Sequence, residues 1–179
     1  MVRLMACLLG LLLLFAPVAR AALKPGAEAP SFSTQASLAG KPFTFNLDEA
    51  LKKGPVVLYF FPAAFTRGCT IEAHDFSEAT AQFQALGATI IGVSGDNIET
   101  LKLFSVTECR NKFAVAADPD RTIMRAYESV LAINPNYATR TSYVITPDHK
   151  IAYSYSDMDP GEHVANTLAA VKAWRATTQ

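Results

Sequence analysis

Four residues within eleven positions could together carry out thiol chemistry: Pro62, Thr66, Cys69 and Glu72. A cysteine thiolate is a strong nucleophile. Thr66 precedes Cys69 by three residues, so its hydroxyl could cap a helix and also face whatever the sulfur attacks. Glu72 follows Cys69 by three residues on the same helical face and could hold a cation near the sulfur. Pro62 could narrow access to the sulfur, and the combination favours a nucleophilic cysteine.

Each of these residues also has a purely structural interpretation. A cysteine in a short helical stretch is more often buried and inert than reactive. Thr66 could be only a helix cap, Glu72 a solvated acid of the first turn, and Pro62 the residue that ends a strand.

The surrounding sequence predicts that Cys69 lies where a core strand passes into a helix. Residues 56–61 form a continuous apolar and aromatic run, and Pro62 ends it because proline cannot donate to a sheet ladder. In the first turn of the following helix, unpaired N–H groups and the helix dipole favour a thiolate. We therefore expect an ionised sulfur exposed at this junction. The helix buries one apolar stripe, formed by Phe76, Ala79, Phe83 and Leu86.

The remaining pattern predicts an α/β fold. A strand at residues 88–94 follows the Cys69 helix and completes a βαβ unit with parallel strands. The later elements are expected at 98–109 (helix), 113–117 (strand), 122–126 (short helix), 141–146 and 151–155 (antiparallel hairpin), and after Gly161 (helix). This order is typical of a thioredoxin-like fold, with a central mixed β-sheet flanked by helices.

Two segments complete the prediction of the fold. Residues 37–47 indicate an added N-terminal β-hairpin, and Asp48 is expected to cap a short helix that ends at Gly54. The periodicity does not assign residues 128–139, and whether this loop covers the predicted cysteine site stays open.

The composition suits one domain and excludes a large class of partners. The chain has 179 residues, 50% of them apolar, which is enough for a substantial core. Sixteen basic residues balance sixteen acidic ones, without clusters of Lys and Arg. Nucleic-acid binding is therefore not expected, because a phosphate footprint needs such clusters.

Residues 1–21 read as a secretory signal peptide. Arg3 provides the positive start, residues 8–15 the apolar segment, and residues 19–21 the small-x-small cleavage site. We expect cleavage after Ala21, a mature domain at residues 22–179, and export, with the bacterial periplasm as the destination. An uncleaved membrane anchor is the weaker interpretation, because the apolar segment is shorter than the roughly 20 residues that span a bilayer. After cleavage, no stable membrane insertion is expected.

Removal of the signal would leave two cysteines, Cys69 and Cys109. In an exported protein such a pair forms, by default, a structural disulfide. A non-catalytic domain stapled by this disulfide is therefore one alternative to an enzyme.

The segment from Pro62 to Cys69 matches the PxxxTxxC signature of peroxiredoxins, and its surroundings resemble the peroxiredoxin Q, or bacterioferritin comigratory protein, class of the AhpC/TSA superfamily. The similarity extends over most of the expected mature chain, residues 22–179. Its further pieces lie at residues 26–32, 92–94, 118–120 and 140–143.

The resemblance implies a role for each matching residue. Cys69 resembles the peroxidatic cysteine, Thr66 the hydroxyl that binds the peroxide, and Pro62 the residue that shields the sulfur. Arg140 resembles the arginine that stabilises the thiolate and the charge that develops on the peroxide oxygens. Glu72 would orient this arginine.

The resemblance also implies a reaction and its partners. The Cys69 thiolate would attack hydrogen peroxide or an organic hydroperoxide, break the O–O bond and become a sulfenic acid. The expected partners are this peroxide and a thioredoxin-like or other thiol reductant. No metal or organic cofactor is needed, and the protein would be a monomer or a homodimer.

One position departs from the pattern of the class. Many members carry a second cysteine five residues after the first, but His74 occupies that position. Cys109 is then the residue expected to resolve the oxidised Cys69 as a disulfide. If it does not, an external thiol resolves Cys69 directly.

A rival enzymatic reading is a thioredoxin-like disulfide oxidoreductase. Such an enzyme needs a CxxC pair, whereas Thr66 lies three residues before Cys69. A glutathione-peroxidase-like enzyme would share the substrate without requiring the PxxxTxxC spacing.

Overall fold

The computed structural model describes residues 22–178, in which seven strands form one mixed sheet in the order β2-β1-β5-β4-β3-β6-β7. The strands are β1 (Ser33–Leu38), β2 (Lys41–Asn46), β3 (Val56–Phe60), β4 (Thr89–Ser94), β5 (Ala114–Ala117), β6 (Thr141–Ile145) and β7 (Ile151–Ser156). The helices are α1 (Leu47–Leu51), α2 (Arg67–Ala85), α3 (Ile98–Thr107), α4 (Thr122–Ala126) and α5 (His163–Thr178).

The central strand β3 is buried along its whole length, as its unbroken apolar sequence predicts. It pairs in parallel with β4 through the α2 crossover and antiparallel with β6 on its other side. The predicted βαβ unit, the C-terminal β6–β7 hairpin and the thioredoxin-like α/β architecture are thereby confirmed.

Successive side chains of β3 feed two separate cores, because neighbouring residues of a strand point to opposite faces of the sheet. Leu58 and Phe60 pack on the face that also holds Tyr127 and Tyr143. Val57, Tyr59 and Phe61 pack on the face covered by α2, α3 and α5. Cys69 and Cys109 both belong to this second core.

The N-terminal hairpin is present as β1 and β2, joined by Ala39 and Gly40. Both joining residues have positive φ, 51° and 75°, as a tight hairpin turn requires. The expected cap of α1 is wrong: the side chain of Asn46, not Asp48, accepts the hydrogen bond from the Glu49 N–H. The helix starts directly after β2, and so Asp48 falls inside its first turn.

The segment that the periodicity left unassigned, residues 128–139, folds back on itself. An isolated bridge pairs Val130 with Ala138, and the Thr139 N–H donates to the Ser129 carbonyl over 2.8 Å. The signal peptide predicted at residues 1–21 lies outside the described residues. From residue 22 to 178, the structure contains no helix with both the length and the apolar character needed to span a bilayer.

Candidate active site

Cys69 lies in the first turn of α2, as predicted, and its Sγ is 3.6 Å from Nη2 of Arg140. The sheet explains how residues so distant in sequence meet. Phe60, at the end of β3, pairs with Thr141 at the start of the antiparallel strand β6. Arg140 therefore lies beside the point where the chain leaves β3 and enters α2.

Each nitrogen of the Arg140 guanidinium has its own partner. Nη2 faces Cys69, Nη1 donates to Oε2 of Glu72, and Nε donates to the carbonyl of Met158 over 3.1 Å. The side chains of Arg140 and Glu72 are 4% and 0% exposed. Glu72 thus holds the cation that its helical position predicts, and the guanidinium plane is fixed on three sides.

The charges of this group depend on one another. Burial acts to lower the pKa of Arg140, but the Glu72 carboxylate and the Cys69 sulfur outweigh it and raise that pKa above its ordinary value. Burial raises the pKa of Glu72, and Arg140 opposes this shift. The result is a permanently charged guanidinium directed at the sulfur in a region shielded from water.

His163, the first residue of α5, is a member of the site that the sequence did not reveal. Its Nδ1 lies 3.6 Å from Oε1 of Glu72 and 2.8 Å from Oγ of Ser142. Its Nε2 lies 2.9 Å from the carbonyl of Asp157, which can only accept, so this nitrogen carries the proton. Nδ1 then accepts from the Ser142 hydroxyl. Burial lowers the pKa of His163 and so favours the neutral imidazole. The fully buried, neutral ring packs against Glu72.

Gly68 permits the approach of Arg140 to Cys69. A Cβ atom at this position would lie 2.9 Å from Nη2 of Arg140, closer than side chains tolerate. The absence of a side chain at residue 68 therefore leaves the volume that the guanidinium occupies.

Thr66 is at the N-cap position of α2, but its side chain does not cap the helix. Its hydroxyl donates instead to the Ala63 carbonyl over 2.9 Å and is exposed. The prediction of a side-chain cap is therefore wrong: the Thr66 hydroxyl is turned toward the preceding loop and accepts no hydrogen bond from an N–H of the first turn of α2. An exposed hydroxyl three residues before Cys69 still suits contact with a substrate.

The loop that carries Thr66 is held in a strained conformation. Phe65 has a φ of 63°, uncommon for a bulky residue. Its ring packs edge-on against Phe104 of α3.

The Ala64 N–H donates over 2.8 Å to the carboxylate of Asp96, which also accepts from the Ser94 hydroxyl at the end of β4. Asp96 thereby fixes this loop to the sheet, a role its turn position did not indicate.

The sulfur is buried, although the sequence led us to expect it exposed. Cys69 is 1% exposed and packs into the second core, because the first turn of α2 directs it toward the sheet while Arg140 lies against it. Half-buried Pro62 borders a cavity of about 310 Å³ beside this region. Asn136 and Tyr137 line the same cavity, so the loop at residues 128–139 approaches Pro62 in the segment between β3 and α2.

Cys109 follows the end of α3 and is fully buried. Burial, with a smaller contribution from Glu108, raises the pKa of its thiol. Both Cys69 and Cys109 are free thiols, so the structural disulfide is absent from this conformation.

Comparison with known proteins places the chain in a family. The AhpC/TSA family matches residues 25–154. The chain is 32% identical over 157 residues to the Bacillus subtilis protein YkuU, named as a peroxiredoxin, covering 83% of this chain and 87% of that protein. It is 30% identical over 122 residues to the chloroplastic peroxiredoxin Q of Triticum aestivum, covering 68% of this chain and 56% of that protein.

Two solved structures share the fold. The peroxidoxin BcpB of Mycobacterium tuberculosis has a TM-score of 0.76 and 27% identity over 84% of this chain and 97% of that one. Peroxiredoxin Q of Xanthomonas campestris has a TM-score of 0.69 and 25% identity over 79% of this chain and 90% of that one. The protein belongs to the AhpC/TSA family, the peroxiredoxins, and is a thiol-dependent peroxidase with a thioredoxin-like fold.

Proposed function

We propose that Cys69 is the peroxidatic cysteine and that Arg140, held by Glu72, stabilises both its thiolate and the transition state. The contact between the Arg140 guanidinium and the Cys69 sulfur is the observation that carries this assignment. Thr66 supplies the hydroxyl that binds the peroxide, and Pro62 limits access to the sulfur. The matched PxxxTxxC spacing supports both of these roles.

The first step is an in-line displacement on the peroxide. The Cys69 thiolate attacks one oxygen, the S–O bond forms and the O–O bond breaks. The departing hydroxide or alkoxide takes a proton and leaves as water or an alcohol. The fixed charge of Arg140 stabilises the negative charge as it passes from sulfur to the leaving oxygen.

In the second step, Cys109 resolves the sulfenic acid of Cys69. Its thiol attacks the Cys69 sulfur, the S–S bond forms, the S–O bond breaks and water leaves. The absence of a cysteine at position 74 supports this assignment, as does the packing of both cysteines in one core. An external thiol, thioredoxin-like in kind, then reduces the disulfide.

The predicted signal peptide supports a cellular location for the enzyme. Export, with cleavage after Ala21, would deliver the domain to the bacterial periplasm, where a disulfide intermediate persists without rapid reduction. The mass of the protein in the periplasmic fraction of the producing cell checks this, because absence of the protein from that fraction, or a chain there that still carries residues 1–21, contradicts it.

The test of the reaction uses the purified protein and hydrogen peroxide. We expect Cys69→Ser to abolish peroxide consumption while the circular dichroism spectrum stays unchanged; retained consumption would refute the assignment. Cys109→Ser should keep the first oxidation step and lose the disulfide. Intact mass after one equivalent of peroxide, without reductant, distinguishes the sulfenic acid, the disulfide and the unreacted thiols.

A further inference from the structure

Cys109 lies in a turn at residues 108–111 that is attached to α2 on both sides of the cysteine. Oε2 of Glu108 lies 2.9 Å from Nε2 of His74, and Nη1 of Arg110 lies 3.1 Å from Oε1 of Glu78. His74 and Glu78 are four residues apart and so lie on one face of α2. Two side-chain pairs, His74–Glu108 and Glu78–Arg110, therefore hold the neighbours of Cys109 against one helix.

The backbone of this turn is strained. Arg110 and Asn111 have φ values of 50° and 60°, both in the left-handed region. Helices often end with one such residue, usually glycine, but arginine has a Cβ that makes this conformation costly. The Asn111 N–H donates to the Ser105 carbonyl over 3.0 Å, which helps to keep the turn closed. The strained turn should open readily once its attachments are released.

The helix that receives these contacts is the helix that carries Cys69. A disulfide requires Cα atoms within about 7 Å and directly bonded sulfurs. Here both thiols are buried, and they are not bonded to each other. The two sulfurs must therefore move toward each other before Cys109 can attack Cys69, and Cys109 cannot move without changing its present packing.

We propose that the His74–Glu108 and Glu78–Arg110 pairs form a clamp that holds the Cys109 turn on α2, and that opening of this clamp sets the rate of disulfide formation. The proposal rests on the assignment of Cys109 as the resolving cysteine. While the clamp is closed, the sulfenic acid of Cys69 can react with a second peroxide: a second S–O bond forms, the O–O bond breaks, and a sulfinic acid and water result. The clamp would therefore determine how the sulfenic acid divides between disulfide and sulfinic acid.

The clamp is tested by neutralising one partner of each pair, in Glu78→Gln and Glu108→Gln. Each variant is mixed with hydrogen peroxide, quenched at intervals with a thiol-trapping reagent and analysed by intact mass. We expect disulfide formation to accelerate about two- to fivefold in each variant, the range expected for a partly exposed ion pair. The sulfinic acid fraction at high peroxide should fall in parallel, while the rate of the first oxidation step stays unchanged.

Three controls make the result specific. The swap Glu78→Arg with Arg110→Glu restores opposite charges and should return disulfide formation toward the wild-type rate, which general loosening would not do. Glu99→Gln removes an exposed pair with Lys102 on α3 and should have no effect. About 1 M salt, where the Debye length is about 3 Å, should accelerate disulfide formation in the wild type more than in a variant lacking both pairs.

The possible failures are distinguishable. A protein that does not consume peroxide contradicts the proposed function itself. Peroxide consumption without any Cys69–Cys109 disulfide contradicts the resolving role of Cys109. A disulfide that forms at the wild-type rate in Glu78→Gln and Glu108→Gln, or a charge swap that fails to restore the rate, overturns the clamp alone.

Discussion

The guanidinium of Arg140 lies 3.6 Å from the sulfur of Cys69, although the two residues are 71 positions apart in the chain. The antiparallel pairing of β3 and β6 sets this distance, because it places the start of β6 beside the exit from β3. The catalytic geometry thus depends on the register of the two central strands. Changes that alter the guanidinium without disturbing this register should affect chemistry much more than stability.

Arg140→Lys should lower the rate of Cys69 oxidation by about a hundredfold or more, the usual cost of losing one preorganised donor. Lysine keeps the charge but cannot contact Cys69, Glu72 and the Met158 carbonyl at once. Stopped-flow measurement of the first step with hydrogen peroxide checks this. Arg125→Lys, at an exposed position on α4, is the matched control and should react as the wild type does; a fast Arg140→Lys enzyme would contradict the role of the guanidinium.

Gly68→Ala should slow the oxidation of Cys69 by about ten- to a hundredfold. The new Cβ would lie 2.9 Å from the present position of Nη2 of Arg140 and would displace the guanidinium. Alanine favours a helix over glycine, so the loss of activity should not be matched by a large loss of stability. Urea unfolding and peroxide kinetics on the same sample separate the two effects. Unchanged kinetics would show that the guanidinium has room to move.

The burial of His163 should make the free energy of unfolding depend on pH in the acidic range. Its pKa is lowered by burial from an ordinary value of 6.5, so the unfolded chain binds a proton at a pH where the folded protein does not. This stabilisation is complete above the unfolded pKa and is lost as the pH falls below it. We expect the free energy of unfolding to decrease below about pH 6.5, with a smaller slope in His163→Gln. Equal slopes in the two proteins between pH 5 and 7 would contradict this.

The burial of Cys109 should make the free energy of unfolding decrease in the alkaline range. Burial raises its thiol pKa above the ordinary value of 9.0, so the folded protein keeps a proton that the unfolded chain releases. Stability should therefore fall above about pH 9, by up to about 1.4 kcal/mol per pH unit for this group. Tyr59, whose pKa is also raised by burial, adds to the loss above pH 10. Cys109→Ala should remove the contribution that begins near pH 9, which urea unfolding at pH 8 and 9.5 measures.

Local patterns predicted those parts of the site that local forces determine. The apolar run of β3, the stop at Pro62 and the apolar stripe of α2 were sufficient to place Cys69 in a first helical turn. The capping of α1 was harder, because Asn46 and Asp48 are equally good caps and only the exact start of the helix decides between them.

Long-range relationships could not be read in this way. Arg140 was identified only through the resemblance to peroxiredoxins, since no periodicity connects it with Cys69. His163 had no marker at all, because its contact with Glu72 depends on how α5 packs across the sheet. The burial of Cys69 was missed because a first helical turn can face either solvent or the sheet, and packing decides which.

The burial of Cys69 makes the active site a size filter. With 1% of the residue accessible, the surface of another protein cannot reach the sulfur in this conformation, so only a small molecule can serve as the oxidant. A protein that reduces the oxidised sulfur must therefore react with a different conformation, in which that sulfur is accessible. Oxidation by the peroxide and reduction by a protein donor then require two conformations of the same molecule.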